Sequence, residues 1–258
     1  MSAVAENWDT RIARCHQLAQ DSPPTTELLT FYATVLEAQK QIYDSLRVLG
    51  PVAYNLELRE YLHALLQAVK SSGPPALVDQ ATTLMSASRE TIDEMLSDYW
   101  QNRSDKQFFA KALLQPYAQQ LAESRATPLN SSLPRRENQC PFCSGKPQVS
   151  FLKITESGSE SGNRNLLCAT CLSAWEFRRV VCASCGEERP FQLSYYQTDE
   201  YEHVRIEACD SCKQYIKGVD LTRLGYAVPL VDDVATAALD LWAVEHGYTK
   251  IELNLIGL

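Results

Sequence analysis

Apolar side chains return at helical spacing through the first 130 residues. Leu28, Phe31, Tyr32, Val35, Leu36, Ile42, Tyr43, Leu46 and Leu49 hold the i, i+3, i+4, i+7 pattern, and Gln39 is the one polar residue on that stripe. Leu58, Tyr61, Leu62, Leu65, Leu66 and Val69 repeat it, as do Leu77, Ala81, Leu84 and Met85 and then Ile92, Met95, Leu96 and Tyr99. Ser104 and Gln107 have capping-box spacing ahead of Phe108 and Phe109. A further helix is therefore predicted to begin at Ser104, with a kink at Pro116. Asp21-Ser22-Pro23-Pro24, Gly50-Pro51 and Ser71-Ser72-Gly73-Pro74-Pro75 mark helix boundaries. The pattern predicts an all-helical N-terminal domain over residues 1–130, built from five to seven packed helices.

Residues 126–138 (ATPLNSSLPRREN) are polar and aperiodic and read as a linker. Beyond them the texture changes to short β-prone runs: Val149–Ile154, Trp175–Val181, Phe191–Gln197 and His203–Ile206. Glu156–Asn163 (ESGSESGN) has the composition of a hairpin tip. Residues 229–258 read as a C-terminal helix and tail, with Val234, Ala237, Ala238, Leu241, Trp242 and Glu245 on one helical face and Gly247 as the stop. Asp232 and Asp233 read as cap and dipole partners at its start rather than as paired catalytic acids. Ile251–Leu258 is expected to be extended.

Charge narrows the function classes. The formal net charge is −8, and residues 135–258 carry 13 basic and 17 acidic residues. That balance argues against a broad electrostatic grip on nucleic acid or on an anionic membrane. Arg164, Arg178, Arg179, Arg189 and Arg205, interleaved with Trp175, Phe177, Tyr195 and Tyr196, are the one feature that would suit a single strand. No apolar run reaches the roughly 18 to 20 residues of a membrane span. Met1–Glu6 has no basic segment ahead of an apolar stretch, and Arg135-Arg136 lies mid-chain, so no export signal is expected and a cytoplasmic location follows.

Cysteine spacing carries the strongest chemical signal. Eight of nine cysteines fall in four Cys-x-x-Cys pairs, spaced C-x2-C-x24-C-x2-C, ten residues, then C-x2-C-x23-C-x2-C. In a reducing cytosol such pairs read as metal ligands rather than disulfides. A Cys-x-x-Cys turn holds two sulfurs on one metal, and two turns complete a tetrahedral site of four sulfurs. The region also repeats itself, Cys182 lying 42 positions after Cys140 and Cys209 lying 41 after Cys168. The expected grouping is therefore sequential: Cys140, Cys143, Cys168 and Cys171 at site 1, in a module over 138–175, and Cys182, Cys185, Cys209 and Cys212 at site 2, in a module over 180–220. An interleaved cross-brace is the alternative. Each module is too short for an independent core, so metal binding supplies folding energy. Spacing does not choose between zinc and iron, or between a purely structural site and a redox-active one as in a rubredoxin. Dithiol exchange fits poorly, because it needs one isolated pair at a helix N-terminus.

The remaining candidates are weaker. Cys15 shares a helical face with Ile12 and Leu18 and reads as a buried, inert thiol. His16, His63, His203 and His246 have no ligand spacing among themselves. No HExxH, GxSxG, Walker A or GxGxxG stretch occurs, and no catalytic centre is found.

The ordered motifs resemble the formate dehydrogenase accessory protein family (FdhE-like). The matching stretches are Cys140-Pro141-Phe142-Cys143, then Leu167–Cys171 leading through Trp175 and Arg179 to Cys182-Ala183-Ser184-Cys185. Glu207–Cys212 with Tyr215-Ile216-Lys217 follows, then Asp232-Asp233-Val234-Ala235 through Leu239-Asp240 to Glu245, Gly247 and Tyr248. In the family a glycine usually follows the first pair directly; here Ser144 precedes Gly145. The resemblance implies an α+β chain: a helical N-terminal domain, two tandem rubredoxin-like (zinc-ribbon-like) β modules and a C-terminal helix. It implies a cytoplasmic, non-catalytic maturation factor that contacts the catalytic subunit of a formate dehydrogenase. It also implies that the eight cysteines hold two metal ions, with iron favoured over zinc. A homodimer is compatible with the sequence. The alternative is a structural zinc-ribbon protein that binds nucleic acid or another protein.

Overall fold

The computed structural model describes residues 7–21, 23–49, 58–101, 107–124, 136–154 and 162–258. The chain divides into two compact units, one mostly over Asn7–Ala126 and the other mostly over Thr127–Asn254. Of the linker expected over 126–138 only 136–138 are described, and of the hairpin tip expected over 156–163 only 162–163; the rest lie outside the described residues.

Six α-helices are described in the first unit: α1 (Trp8–Asp21), α2 (Thr26–Leu49), α3 (Leu58–Ser72), α4 (Pro75–Met85), α5 (Arg89–Gln101) and α6 (Phe108–Glu123). Two begin on side-chain caps: Asn7 Oδ1 accepts the Thr10 N–H at 2.8 Å and Ser88 Oγ accepts the Thr91 N–H at 3.2 Å. The apolar stripe of α2 is buried, with Phe31, Tyr32, Val35, Leu36, Ile42 and Leu46 inside, and α2 packs on α1, α3 and α6. Gln39, the exception on that stripe, is also fully buried. Its Nε2 donates to the Ala112 carbonyl at 2.8 Å and to Gln115 Oε1 at 3.1 Å. Pro116 sits inside α6 and has no N–H to give the carbonyl four residues back, which is Ala112. Gln39 supplies that missing donor, which accounts for a buried amide on an apolar face. Helix α6 starts at Phe108 rather than at Ser104, which lies outside the described residues. Gln107 does not reach back as a capping box requires; its Nε2 donates to Asp98 Oδ2 at 2.6 Å.

Among the described residues the second unit is one seven-stranded sheet with two short α-helices. The strands are β1 (Pro147–Lys153), β2 (Asn163–Cys168), β3 (Ala174–Glu176), β4 (Leu193–Gln197), β5 (Val204–Cys209), β6 (Gln214–Asp220) and β7 (Thr249–Lys250). Their order is β3-β2-β1-β6-β5-β4, with β7 beside the start of β6. Each repeat contributes an antiparallel trio, β1 to β3 and β4 to β6, and the trios join head to tail. The seam is the parallel pair β1–β6, in register from Val149↔Lys217 to Leu152↔Asp220.

The two modules therefore share one core. Val149, Phe151, Leu167 and Ala174 of the first pack with Val204, Ile206, Ala208, Tyr215 and Val219 of the second, under Leu230, Leu239 and Ala243 of the helices α7 (Pro229–Ala235) and α8 (Ala237–Glu245). On the opposite face Leu166, Phe177, Val181, Ala183, Ile216 and Ile251 form a smaller cluster. An ionic tie crosses the seam on this face. Arg164 of β2 reaches over β1 and β6, its Nη2 donating to Glu207 Oε2 of β5 at 2.5 Å. Ser150 Oγ donates to the same oxygen at 3.0 Å, and Arg205 clamps the other oxygen through Nε and Nη2. Gly218 makes room beneath: a Cβ there would lie 2.6 Å from Glu207 Oε1.

The tail departs from the single helix expected. It breaks at Thr236 (φ −101°, ψ 40°) into α7 and α8. The Lys217 ammonium enters at that point and donates to the carbonyls of Asp233, in the last turn of α7, and Thr236, which also accepts the Leu239 N–H at the start of α8. The strand expected over Trp175–Val181 stops at Glu176, because Arg164 Nη1 takes the carbonyls of Arg178 and Val181 and turns that segment under the sheet. Residues 251–258 form turns rather than an extended segment.

Candidate metal centres

The eight cysteines meet in two groups. Cys140, Cys143, Cys168 and Cys171 form one and Cys182, Cys185, Cys209 and Cys212 the other, each with its four sulfurs within 4.8 Å of one another. The sulfurs of Cys140 and Cys171 lie 3.4 Å apart, as do those of Cys143 and Cys168. In the second group Cys182–Cys212 is 3.7 Å and Cys185–Cys209 is 3.8 Å. Disulfide sulfurs would lie about 2.05 Å apart. A tetrahedron with metal–sulfur bonds of about 2.3 Å has edges of about 3.8 Å, so both groups have the dimensions of a four-sulfur cage.

Local backbone geometry explains how the sequence builds these cages. The residue after the second cysteine of every pair has a left-handed backbone: Ser144 (φ 58°), Leu172 (φ 55°), Gly186 (φ 78°) and Lys213 (φ 55°). That bend lets the N–H of Ser144, Gly186 and Lys213 return to the carbonyl of the first cysteine at 2.8–3.1 Å. It also aims N–H groups at sulfur, Thr170 at Cys168 (3.3 Å) and Ser184 at Cys182 (3.4 Å). Such donors disperse thiolate charge. At site 1 a Cβ on Gly145 would lie 2.9 Å from Cys168 Sγ and 3.2 Å from Cys143 Sγ. Only glycine lets the chain pass so close to the sulfurs.

The two cages differ in their access to water. Site 1 is buried at all four cysteines, whereas Cys185 of site 2 is exposed and Cys212 half-buried. Burial pushes the Cys182 thiol up to about 11 and the Cys212 thiol higher still. A metal entering site 2 must therefore displace protons. Beside this site Glu187 accepts from Arg189 and Ser211, which hold its carboxyl well below the usual range and tie the loop after Cys185 to the Cys209–Cys212 turn. Tetrahedral thiolate suits zinc and iron alike. When bound, a metal at either site would cross-link two turns and one strand pair.

None of the other sequence candidates joins a cage. Cys15 is buried in the helical unit. His16 faces Glu37, His63 lies beside Gln67 and His246 stacks on Trp242. His203 Nε2 lies 2.8 Å from Asp232 Oδ1. No helix among the described residues is long and apolar enough to cross a membrane.

Comparison with known proteins matches residues 139–179 to a family model described as "FdhE, central domain" and residues 180–256 to "FdhE, C-terminal domain". A protein named FdhE homolog from Aquifex aeolicus is 31% identical over 93% of this chain and 92% of its own length. The chain belongs to the FdhE family. An FdhE homolog from Haemophilus influenzae (strain ATCC 51907 / DSM 11121 / KW20 / Rd) is 29% identical over 96% of this chain and 87% of its own. The crystal structure of the FdhE protein from Pseudomonas aeruginosa aligns with a TM-score of 0.70 at 25% identity, over 96% of this chain and 95% of that one. The helical region, the sheet with two four-cysteine clusters and the C-terminal helices are thus an FdhE fold.

Lys217 and Asp240, which the sequence marked only through the resemblance, join Asp233, expected as a cap partner, and Lys250, which it did not mark, in a buried charge network. Lys217 and Lys250 meet Asp233 and Asp240, all four buried. Lys250 Nζ lies 2.7 Å from Asp233 Oδ1 and 3.1 Å from Asp240 Oδ1, and Lys217 Nζ lies 3.1 Å from Asp233 Oδ1 and also pairs with Asp240. Asn254 Nδ2 and Tyr215 OH satisfy further oxygens at 3.1 and 2.8 Å. Burial holds the Lys217 amine below its ordinary value. Burial opposes the Asp233 charge too, but the two ammonium groups outweigh it and lower that carboxyl. Of the expected cap pair, Asp232 does accept the Val228 N–H at 2.8 Å, whereas Asp233 points inward to the lysines. The network closes on itself in charge and locks α7, α8, β6 and β7 together.

Proposed function

We propose that this chain is a non-catalytic accessory factor for the maturation of a formate dehydrogenase, working in the cytoplasm and binding the catalytic subunit. The observation that carries the reading is full-length kinship with the FdhE family together with two complete four-cysteine cages. We assign Cys140, Cys143, Cys168 and Cys171 to one metal ion and Cys182, Cys185, Cys209 and Cys212 to the other, with iron favoured by the family resemblance. The metals would hold the turns that shape the sheet unit, and site 2, nearer water, would be the one open to redox change. The matching family models and relatives carry the name FdhE, and the accessory role itself comes from the sequence resemblance.

Formate-dependent dye reduction in extracts of the host, with this gene deleted and then restored, tests the role. Activity should vanish and return. Unchanged activity, in cells where the dehydrogenase is detected immunologically, would overturn it. Anaerobic purification followed by elemental analysis tests the metal: two zinc ions in a colourless protein would remove iron.

A further inference from the structure

A groove runs along the sheet unit beside the cysteine turns. A cleft of about 680 Å³ opens beside β3, lined by Arg136, Arg178 and Arg179 with Trp175 and Phe177. A second hollow of about 300 Å³ shares Arg136, Glu137, Phe177 and Arg178 and continues to Ser184, Cys185 and Gly186. The groove thus runs from Pro141, inside the first cysteine turn, to the exposed rim of site 2. Within a chain of net charge −8 it gathers four arginines against Glu137 and Glu176; Arg164 is already paired with Glu207, which leaves Arg136, Arg178 and Arg179 to face an occupant. Four thiolates on a divalent ion leave −2 at each cage, so without these arginines the groove would repel carboxylates.

Three details fit a peptide occupant. Arg136 is exposed and forms no ion pair among the described residues. Arg178, more than half exposed, divides itself between Glu137 (3.4 Å) and Glu188 (2.6 Å). Exposed pairs of this kind contribute about 1 kcal/mol or less, so an incoming carboxylate replaces them at little cost. Finally, the bonds Phe177 N–H to Arg164 O and Cys168 N–H to Ser173 O fix the register of β3 on β2. In that register the backbone N–H and C=O of Glu176 point away from β2, on the outer side of the strand that ends the sheet among the described residues, a position from which an extended chain can pair.

We propose that this groove docks an extended, carboxylate-rich segment of a partner polypeptide, which on the reading above belongs to the formate dehydrogenase catalytic subunit. The probe is a fluorescein-labelled deca-glutamate peptide, followed by anisotropy against the full-length, metal-loaded protein. Binding should weaken as salt rises. The double variant Arg136→Glu/Arg178→Glu should lose at least tenfold in affinity, while Arg136→Lys/Arg178→Lys keeps most of it, both with unaltered metal content and melting. No peptide binding at low salt, equal binding by the charge-reversed variant, or tighter binding of an oligothymidylate of equal charge would each overturn the proposal. Co-purification separates the two readings. If the wild-type and charge-reversed proteins both retain the catalytic subunit, the groove is wrong and the accessory role stands. If neither retains it but the peptide behaves as expected, the groove stands and the partner assigned to it falls.

Discussion

Glu207→Gln tests whether the two cysteine modules are one folding unit. The wild-type carboxylate neutralises Arg164, which is 3% exposed and carries the carbonyls of Arg178 and Val181 on its Nη1. Removing the charge leaves a buried guanidinium uncompensated, which costs about 3–5 kcal/mol when a buried pair loses one partner. Glutamine keeps an oxygen for Arg164 or Ser150, so the lower end, about 3 kcal/mol, is expected. For a unit of this size that lowers the melting midpoint by roughly 10–15 °C. Arg205→Gln, at a side chain 27% exposed, should cost under about 1 kcal/mol and serves as the control. The assay is thermal unfolding of the metal-loaded protein by circular dichroism, with metal content followed across the transition. Because the tie joins β2 to β5, both metals should leave together in the variant. A loss below about 1 kcal/mol, or thermal release of one metal from the variant while the other module stays folded, would refute the shared core. Acid provides a second readout. Burial disfavours the Glu207 charge, yet Arg164 and Arg205 outweigh it and lower the carboxyl below its ordinary value. A depressed carboxylate contributes stability that is full above the unfolded value of about 4.3 and fades as pH falls through the folded one. The wild type should therefore lose stability below about pH 4 more steeply than Glu207→Gln.

In the helical unit, Gln39→Leu should cost about 1–3 kcal/mol by orphaning the Ala112 carbonyl, and distinctly less in a Pro116→Ala background, where the new N–H takes that carbonyl; additive effects in urea unfolding would contradict the pairing. Ser144→Gly should raise stability by roughly 1 kcal/mol, since only glycine adopts φ 58° without a Cβ penalty, and a lower midpoint would show that the serine hydroxyl matters. Chelator should strip site 2 before site 1, in two phases of absorbance change, because Cys185 is exposed while site 1 is buried; iodoacetamide labelling after the first phase should fall on Cys182, Cys185, Cys209 or Cys212. Labelling at site 1 first would reverse the assignment.

What the sequence determined by itself is local. Helical periodicity located the α2 and α3 faces, proline and glycine clusters located their ends, and the interval between Cys-x-x-Cys turns anticipated which cysteines come together. These signals survive in one dimension because each depends on residues a few positions apart or on a repeated spacing. The strands β2 and β6 escaped notice for the opposite reason. Arg164 and Lys217 break their apolar alternation, and each is buried only because an acidic partner arrives from elsewhere, Glu207 from across two intervening strands and Asp233 and Asp240 from the tail helices. The same lysine decides where the tail helix breaks. Tertiary structure alone also decided that the repeats fuse through β1 and β6 into one sheet. A short repeat shows that it closes its own cage, but not which edge it offers to its copy, because that choice depends on apolar area and charge pairing summed over both.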